Sequence, residues 1–416
     1  MAPNIAIIGA GPGGCMLARL LHQHSIPSTI FESEPSVNYR SQGGTLDIRT
    51  STGLAAIKEA GLFSEFRKHA RYDDESLLVC DKKQTTWVRS HPPKKNSTKK
   101  RSFEAPEIDR VVLRKLLMES LPEGVVRWSH QLLRVEADRS LHFANGSVER
   151  GFDLVVGADG AWSKVRNLLS SEKPFYSGIG GYNMSIPDAA ITAPRAYKFV
   201  NRGNVFAYSD GKNLCGQQLG DGSINVSFNF RTDEDYVQKC GFDPKDLKSA
   251  KKAVLEELRD WTPELVNFVE SSDQDSLQWR SYYMLPVGFQ WDHTEGVTLL
   301  GDAAHLMTPF AGIGVNTAFY DAMLLAHAIV ESIESREPNS LDARITEYEK
   351  QMWAFAKDGQ QRTFGAMTDM FFTPGAPRTS IEPWILRHMK PEVPKWTHPI
   401  VTAAVYIGYF IYKLFV

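Results

Sequence analysis

Little in this sequence points to thiol or metal chemistry. Its four cysteines, Cys15, Cys80, Cys215 and Cys240, are scattered, with no CxxC pair and no zinc-ligand spacing. Isolated thiols in a chain of 416 residues exclude a disulfide framework and indicate a reducing compartment, hence a cytoplasmic protein with no structural metal. Charge of one sign is also lacking. The net charge is −2, so no global field recruits nucleic acid. The one basic cluster, PPKKNSTKKR within 81–101, is short and reads as a solvated loop in a small antiparallel insert. There is no HExxH, no GxSxG and no compact Ser/His/Asp arrangement, which removes the common hydrolase signatures. No repeat of solenoid type appears. A first strand beginning near Asn4 leaves no room for a signal peptide. Long hydrophobic runs are missing, with one exception at the end of the chain.

What is present is organised around Asn4 to Glu34. NIAII is a short apolar run suited to a buried strand, and it meets Gly9, Gly11, Gly13 and Gly14 before a helix-prone stretch, CMLARLLHQH. A second apolar run, Ser28 to Phe31, ends in Glu32, eighteen residues after Gly14. A dinucleotide pyrophosphate needs backbone N–H groups at a helix start, where the dipole favours negative charge. Gly9 allows the tight turn, Gly11 lets the pyrophosphate approach, and Gly14 lets the helix pack on the strand. Glu32 stands where a carboxylate can accept hydrogen bonds from an adenosine ribose. By itself this stretch reads equally well as a site for NAD or for FAD.

Further along, Thr52 to His69 has helical spacing interrupted at Gly61, and Glu107 to Leu121 reads as an amphipathic helix. Its buried face is Val111, Leu113, Leu116, Leu117 and Leu121. Arg110 near its start is oddly placed on dipole grounds unless an anion lies there; a surface pairing with Asp109 or Glu107 is the alternative. Strands are expected at Leu132–Glu136 and Leu141–Phe143 with an Asn145-Gly146 turn, and at Phe152–Val156, which runs into Asp159-Gly160 and the helix-like WSKVRNLL. From about Lys173 to Trp279 the character is β-rich, with short runs at Tyr197–Val200, Val205–Tyr208, Leu214–Leu219 and Ile224–Phe230. In INVSFNF one face is apolar and the other polar, as in a sheet roofing a cavity or one whose polar face meets water. Lys248 to Phe268 reads as helical. Val297 to Leu300 is a last buried strand, ending in Gly301-Asp302, a loop from Pro309 to Gly314, and a long helix from Val315.

The arrangement GAGPGG…FE, DLVVGADG and GDAAHLMTPFAGIGVN resembles the group A FAD-dependent aromatic monooxygenases, above all the tetracycline-inactivating flavin monooxygenases and their fungal biosynthetic relatives. GGTLDIR, APEIDR and YEKQMWAFAKDGQQ extend the likeness from Asn4 to about Phe372. It implies an α/β fold: a Rossmann-like FAD-binding domain over 1–72, 105–172 and 280–372, interleaved with a β-sheet substrate domain over 73–104 and 173–279, as in para-hydroxybenzoate hydroxylase. C-terminal helices over 373–416 would follow. Gly9, Gly11 and Gly14 would carry the FAD pyrophosphate and Glu32 the ribose. Arg40 would serve NADPH handling, Asp47 and Arg110 would contact FAD, and Asp159 is linked to both cofactors. Asp302 would bind the ribityl and pyrophosphate region, with Pro309, Gly312, Gly314, Val315 and Asn316 under the isoalloxazine.

In that family NADPH, bound transiently, reduces FAD; O₂ adds to the flavin, and the hydroperoxide transfers one oxygen to the substrate. The cofactor carries the hard step, consistent with the missing catalytic motifs and the missing second dinucleotide fingerprint. His305 reads either as an aid to proton delivery or, with more weight, as a histidine fixing its loop. At the roof-sheet positions where tetracycline-modifying members carry a glutamine and a histidine, this sequence has Lys198 and Asn225. They are the candidate substrate contacts, and a phenolic or enolic polyketide, alkaloid or meroterpenoid is expected in place of tetracycline. A flavin oxidase, dehydrogenase or FAD-supported cyclase without oxygen insertion is the alternative.

The hydrophobic exception is Ile400 to Tyr412, IVTAAVYIGYFIY, followed by Lys413. Crossing a bilayer takes roughly 17–25 apolar residues, which the run reaches only if Lys413 snorkels. Two readings stand: a helix docked on the protein, or membrane association through 399–416.

Overall fold

The computed structural model describes residues 2–37, 43–72, 76–90, 105–243, 246–273, 276–335 and 339–416. Arg40 and the basic stretch 92–101 lie outside the described residues. The chain divides into two units, each discontinuous: Met1–Ala70, Ile108–Phe175 and Tyr283–Gln361 in the first, Arg71–Glu107, Tyr176–Tyr282 and Arg362–Val416 in the second.

Apolar NIAII suits a strand covered on both faces. In the first unit Ile5–Ile8 is buried at every position and lies at the centre of a parallel sheet. Ile7 stands opposite Ile30 of Ser28–Phe31 on one side and Val156 of Leu154–Gly157 on the other. Val297–Leu299 and the short Val126–Arg127 form the two edges. Helices Pro12–Gln23 and Gly314–Glu334 pack on each other, and their buried faces join the strands in one core. This topology brings the ends of three strands, each followed by a turn rich in glycine or acid, to one edge of the sheet.

The helix expected over 107–121 begins later. Glu107–Asp109 is a strand and the helix runs Arg110–Glu119. Leu113, Leu116 and Leu117 are buried, but Val111 is exposed. Residues two apart on a helix face opposite ways, so Val111 cannot share the face of Leu113. The helix expected after Asp159-Gly160 shrinks to one turn, Arg166–Leu169.

The second unit holds a seven-stranded sheet, in spatial order Gln278–Met284, Phe175–Ile186, Ile224–Arg231, Lys212–Gln218, Asn204–Ser209, Leu77–Cys80 and Thr86–Ser90. Tyr182, Val205, Leu214, Val226 and Phe228 bury one face against helices Leu247–Glu257 and Pro263–Glu270. Asn213, Cys215, Asn225, Ser227 and Asn229 lie on the other face, as the register Cys215 opposite Ser227 requires. The helix expected over 248–268 is interrupted before Pro263, which opens its second part.

One expectation about this sheet is corrected and one strand was missed. Tyr197–Val200 is not a strand but the end of a helix, Pro194–Val200, opened by proline and closed by Asn201 in the left-handed conformation. The long strand Phe175–Ile186 is hidden in the sequence by its glycines, which have low strand propensity. Packing demands one of them: a Cβ on Gly180 would lie 2.4 Å from the Trp279 ring.

The chain's last helix is His398–Tyr412. Among the described residues no helix is long and apolar enough to cross a membrane.

Candidate functional site

The glycine turn of the first unit has a packed side and an open side. Gly9 ends the central strand with φ +105°, in the region that favours glycine. A Cβ there would lie 2.4 Å from the Ala158 carbonyl oxygen, and one on Gly14 would lie 2.2 Å from the Gly9 carbonyl oxygen. Strand, turn and helix therefore approach so closely that neither position accepts a side chain. Gly11 differs, because the nearest atom to a Cβ there is 4.0 Å away. The first intrahelical bond runs from Cys15 N–H to the Gly11 carbonyl at 3.0 Å. The amides of Gly13 and Gly14 precede it, giving backbone donors at a helix N-terminus.

Glu32 is buried, and its carboxylate also holds the turn. Oε2 accepts from Ala10 N–H at 2.6 Å, and Oε1 accepts from Ser33 Oγ at 2.9 Å and Glu34 N–H at 3.0 Å. Three of the roughly four acceptor positions of a carboxylate are filled by the chain.

The other two acidic turns are joined by a residue that sequence reasoning missed. Arg166 is 2% exposed. Its guanidinium donates to the Ala303 carbonyl at 2.9 Å and the Ala161 carbonyl at 2.6 Å, one from each turn. Burial lowers the Arg166 pKa, while the charges of Asp159 and Asp302 oppose that shift. In the sequence Arg166 stands only as the arginine of WSKVRNLL, with nothing to separate it from a surface cation. Asp159 Oδ2 accepts from Lys164 N–H at 2.6 Å and so caps that turn, while its Oδ1 is buried with no hydrogen-bond partner. Burial raises the Asp159 carboxyl. Asp302 opens the turn Asp302–His305. Its side chain is exposed to solvent and stands among the charges of its neighbours. The surrounding protein raises its pKa, and the nearby charges of His305, Arg110 and Arg166 work against the rise. Arg110 is exposed at the start of its helix, and its N–H donates to the Gly44 carbonyl at 3.1 Å.

Pro309–Ala311 forms a 3-10 turn, and Gly312 follows with φ +61°. A Cβ on Gly312 would face Asp47 Oδ2 at 3.9 Å, so the loop and Asp47 are neighbours. Asn316 fixes that neighbourhood: Nδ2 donates to the Asp47 carbonyl at 2.7 Å, and Oδ1 accepts from Arg49 N–H at 2.8 Å. Its amide group is thus spent inside the protein. The N–H groups of Gly314, Val315 and Asn316 precede the first intrahelical bond, Thr317 to Ile313. Gly160 and Gly314 have nothing within 4 Å of a Cβ, so both turns are open on their outer side.

His305 is buried, with Nε2 2.6 Å from Asp321 Oδ2, which also accepts from Gly301 N–H at 2.9 Å. Burial acts to lower its pKa, but the Asp321 carboxylate outweighs this and raises it. The pair ties the Asp302 turn to the long helix. Asp321 was also missed, although a lone acid inside the apolar run VNTAFYDAMLLAH signals a buried partner.

In the second unit Lys198 is exposed on the Pro194–Val200 helix, which lies on the apolar side of the sheet through Ala196 and Val200. Asn225 is half-buried on the opposite, polar face. The structure therefore does not bring these two together. On the polar face Tyr282 OH donates to Asn229 Oδ1 at 2.9 Å, and Asn229 Nδ2 donates to Asn213 Oδ1 at 3.2 Å. Burial pushes the Cys15, Cys80 and Cys215 thiols up to about 12, which leaves them protonated and inert.

A protein-family model for the FAD binding domain matches residues 3–362. The chain belongs to the FAD-binding-domain family. Within it the protein is a FAD-dependent monooxygenase of the group A kind. Monooxygenase asqM of Emericella nidulans is 29% identical, over 87% of this chain and 94% of that one. Monooxygenase penA of Penicillium thymicola is likewise 29% identical, with the same 87% and 94% shares. Two solved structures share the fold at lower identity. Klebsiella pneumoniae HpxO, solved with FAD and uric acid, is 18% identical with a TM-score of 0.72, covering 97% of each chain. The tetracycline destructase Tet(51) is 19% identical with a TM-score of 0.67, covering 97% of this chain and 99% of its own.

The residues present fit the cofactor of this flavoprotein. The glycine turn offers backbone amides on its open side, Asp302 is an accessible acid near Arg110, and Asp159 keeps a buried oxygen without a partner.

Proposed function

We propose that this monooxygenase takes electrons from NADPH and hydroxylates or epoxidises an electron-rich small molecule in secondary-metabolite biosynthesis. A phenolic or enolic polyketide, alkaloid or meroterpenoid is the substrate class. One observation carries the site assignment: the accessible Asp302 lies in the field of Arg110, on a turn that Arg166 ties to the Asp159 turn. Bound FAD supplies two-electron chemistry and oxygen activation, which no side chain of the chain provides.

The protein's part is to hold and to orient. Gly13 and Gly14 amides, opened by Gly9, Gly11 and Gly14, take the pyrophosphate charge, and Glu32 offers its remaining acceptor position to the ribose. Asp302 accepts from ribityl hydroxyls, and Arg110 offsets anionic charge beside it. The amides of Gly314, Val315 and Asn316, shaped by Pro309 and Gly312, favour negative charge on the ring edge they face. Asp47 supports that loop through its backbone. Asn225, with Ser227 and Asn229 beside it, is the candidate substrate contact, since a face of amides and hydroxyls recognises hydroxyl or carbonyl groups by hydrogen bonding. Lys198, on the covering helix, is left out of this assignment.

Deleting the gene in the producing organism and comparing metabolites identifies the substrate as the compound that accumulates. Purified protein should then oxidise NADPH faster when that compound is added. Accumulation of nothing, or NADPH oxidation indifferent to every accumulated compound, would overturn the proposal.

A further inference from the structure

From Pro399 to Tyr412 the sequence contains no charged residue, yet most of this helix faces outward. One narrow seam docks on the second unit. Tyr412 OH donates to the Thr86 carbonyl at 2.5 Å, Tyr409 OH donates to the Trp87 carbonyl, and Lys413 reaches Glu382 at 2.7 Å. The opposite side is apolar and bare: Ile400, Ile407, Phe410, Ile411, Leu414 and Phe415 are each 51–82% exposed. Six large apolar side chains bare on one face make a patch of the size that is often functional.

We infer that this face is an interfacial membrane anchor, seated on a bilayer with anionic headgroups. Three observations select lipid. The helix has fifteen residues, about 22 Å at ~1.5 Å each, against a hydrocarbon core of ~30 Å, so it lies on a bilayer and does not cross it. Its entry carries Lys390 and Lys395, which anionic headgroups attract, with Glu392 between them, a net excess of one positive charge. Trp396, 76% exposed, follows Lys395 directly, and an indole prefers the headgroup level. A second copy is a poorer occupant. One side of a helix this size offers roughly 22 by 10 Å, short of the ~800 Å² per partner of a stable dimer even after doubling for surface relief. The docked seam holds the helix in place, so binding requires no rearrangement.

The test is flotation of the purified flavin-loaded protein with vesicles of phosphatidylcholine alone and of phosphatidylcholine with phosphatidylserine, with light scattering for mass. The protein should float with both and more with the anionic vesicles. The double variant Ile407→Asp, Phe410→Asp should lose about tenfold or more of its binding while keeping its flavin colour. Lys395→Gln should weaken binding to anionic vesicles by roughly fivefold and leave neutral ones unaffected. No flotation with either vesicle would overturn the inference. So would a concentration-dependent dimer that the double variant abolishes, since the face would then be an interface between copies.

Discussion

Arg166 and Asp302 answer different questions about the same pair of turns. Arg166 is buried and bonds backbone on both acidic turns, so it sets their spacing without reaching solvent. Removing a buried cation that faces two acids costs about 3–5 kcal/mol, because the opposing charge loses its compensation. Arg166→Met should therefore lower the unfolding free energy by about 3 kcal/mol or more, read by urea denaturation, and leave little flavin bound. Unchanged stability would remove Arg166 from this role. Asp302 is accessible, so Asp302→Ala should fold normally and lose an acceptor for flavin hydroxyls. A loss of roughly 1–3 kcal/mol in FAD affinity is expected, about tenfold or more, and the protein should purify mostly colourless. Full yellow occupancy in that variant would contradict its assignment. Arg166 follows Asp159-Gly160 and Asp302 is itself the acid of Gly301-Asp302, but only Asp302 was singled out. Arg166 was passed over because an arginine in a helix reads as surface until its neighbours are known.

At the scale of elements, the strand ending at Leu299 is clamped to the helix Ser340–Met367 by a buried carboxylate. Glu349 is 0% exposed and accepts from Thr298 Oγ1 at 2.8 Å, Trp291 Nε1 at 3.2 Å and His293 Nδ1 at 2.8 Å. The other nitrogen of His293 lies 3.0 Å from Asp342. Burial acts to lower the His293 pKa, but the two carboxylates outweigh it and hold the imidazole above its ordinary 6.5. Folding thus keeps His293 protonated where the unfolded chain would release its proton. The stabilisation is present in full below about pH 6.5 and is lost as pH rises through the folded value. Melting temperature should fall across that window in the native protein, and His293→Gln should flatten this part of the profile. An identical slope in the variant would show that His293 does not carry it. Elements with strong periodic signals were legible in advance: the central strands, the helix from Gly314, the Asn145-Gly146 turn. The errors lie where tertiary contact overrides local preference. Gly180 sits in a strand because Trp279 leaves no room for a side chain, and Tyr197–Val200, apolar enough for a strand, is helical because proline precedes it.

For the whole molecule, the first unit brings together segments hundreds of residues apart, and the proposed flavin site lies where they meet. Gly9 and Gly14 meet Ala158 or its neighbours, Arg166 reaches Ala303, and Asn316 reaches Asp47. Asn4–Glu34 alone left NAD and FAD equal; the convergence of the other two acidic turns and the family match decide for FAD. The substrate was never legible to the same degree. Hydrogen-bonding residues such as Asn225 state a polarity and not a shape, and the polar face of a sheet carries no spacing rule comparable to a glycine turn. The account's central claim is oxygen insertion, and labelled dioxygen tests it most directly. The compound that accumulates without the gene is incubated with the flavin-loaded protein, NADPH and labelled dioxygen. One labelled oxygen atom in the product for each NADPH consumed is the predicted result. An unlabelled product, or hydrogen peroxide as the sole fate of the oxygen, would contradict the account.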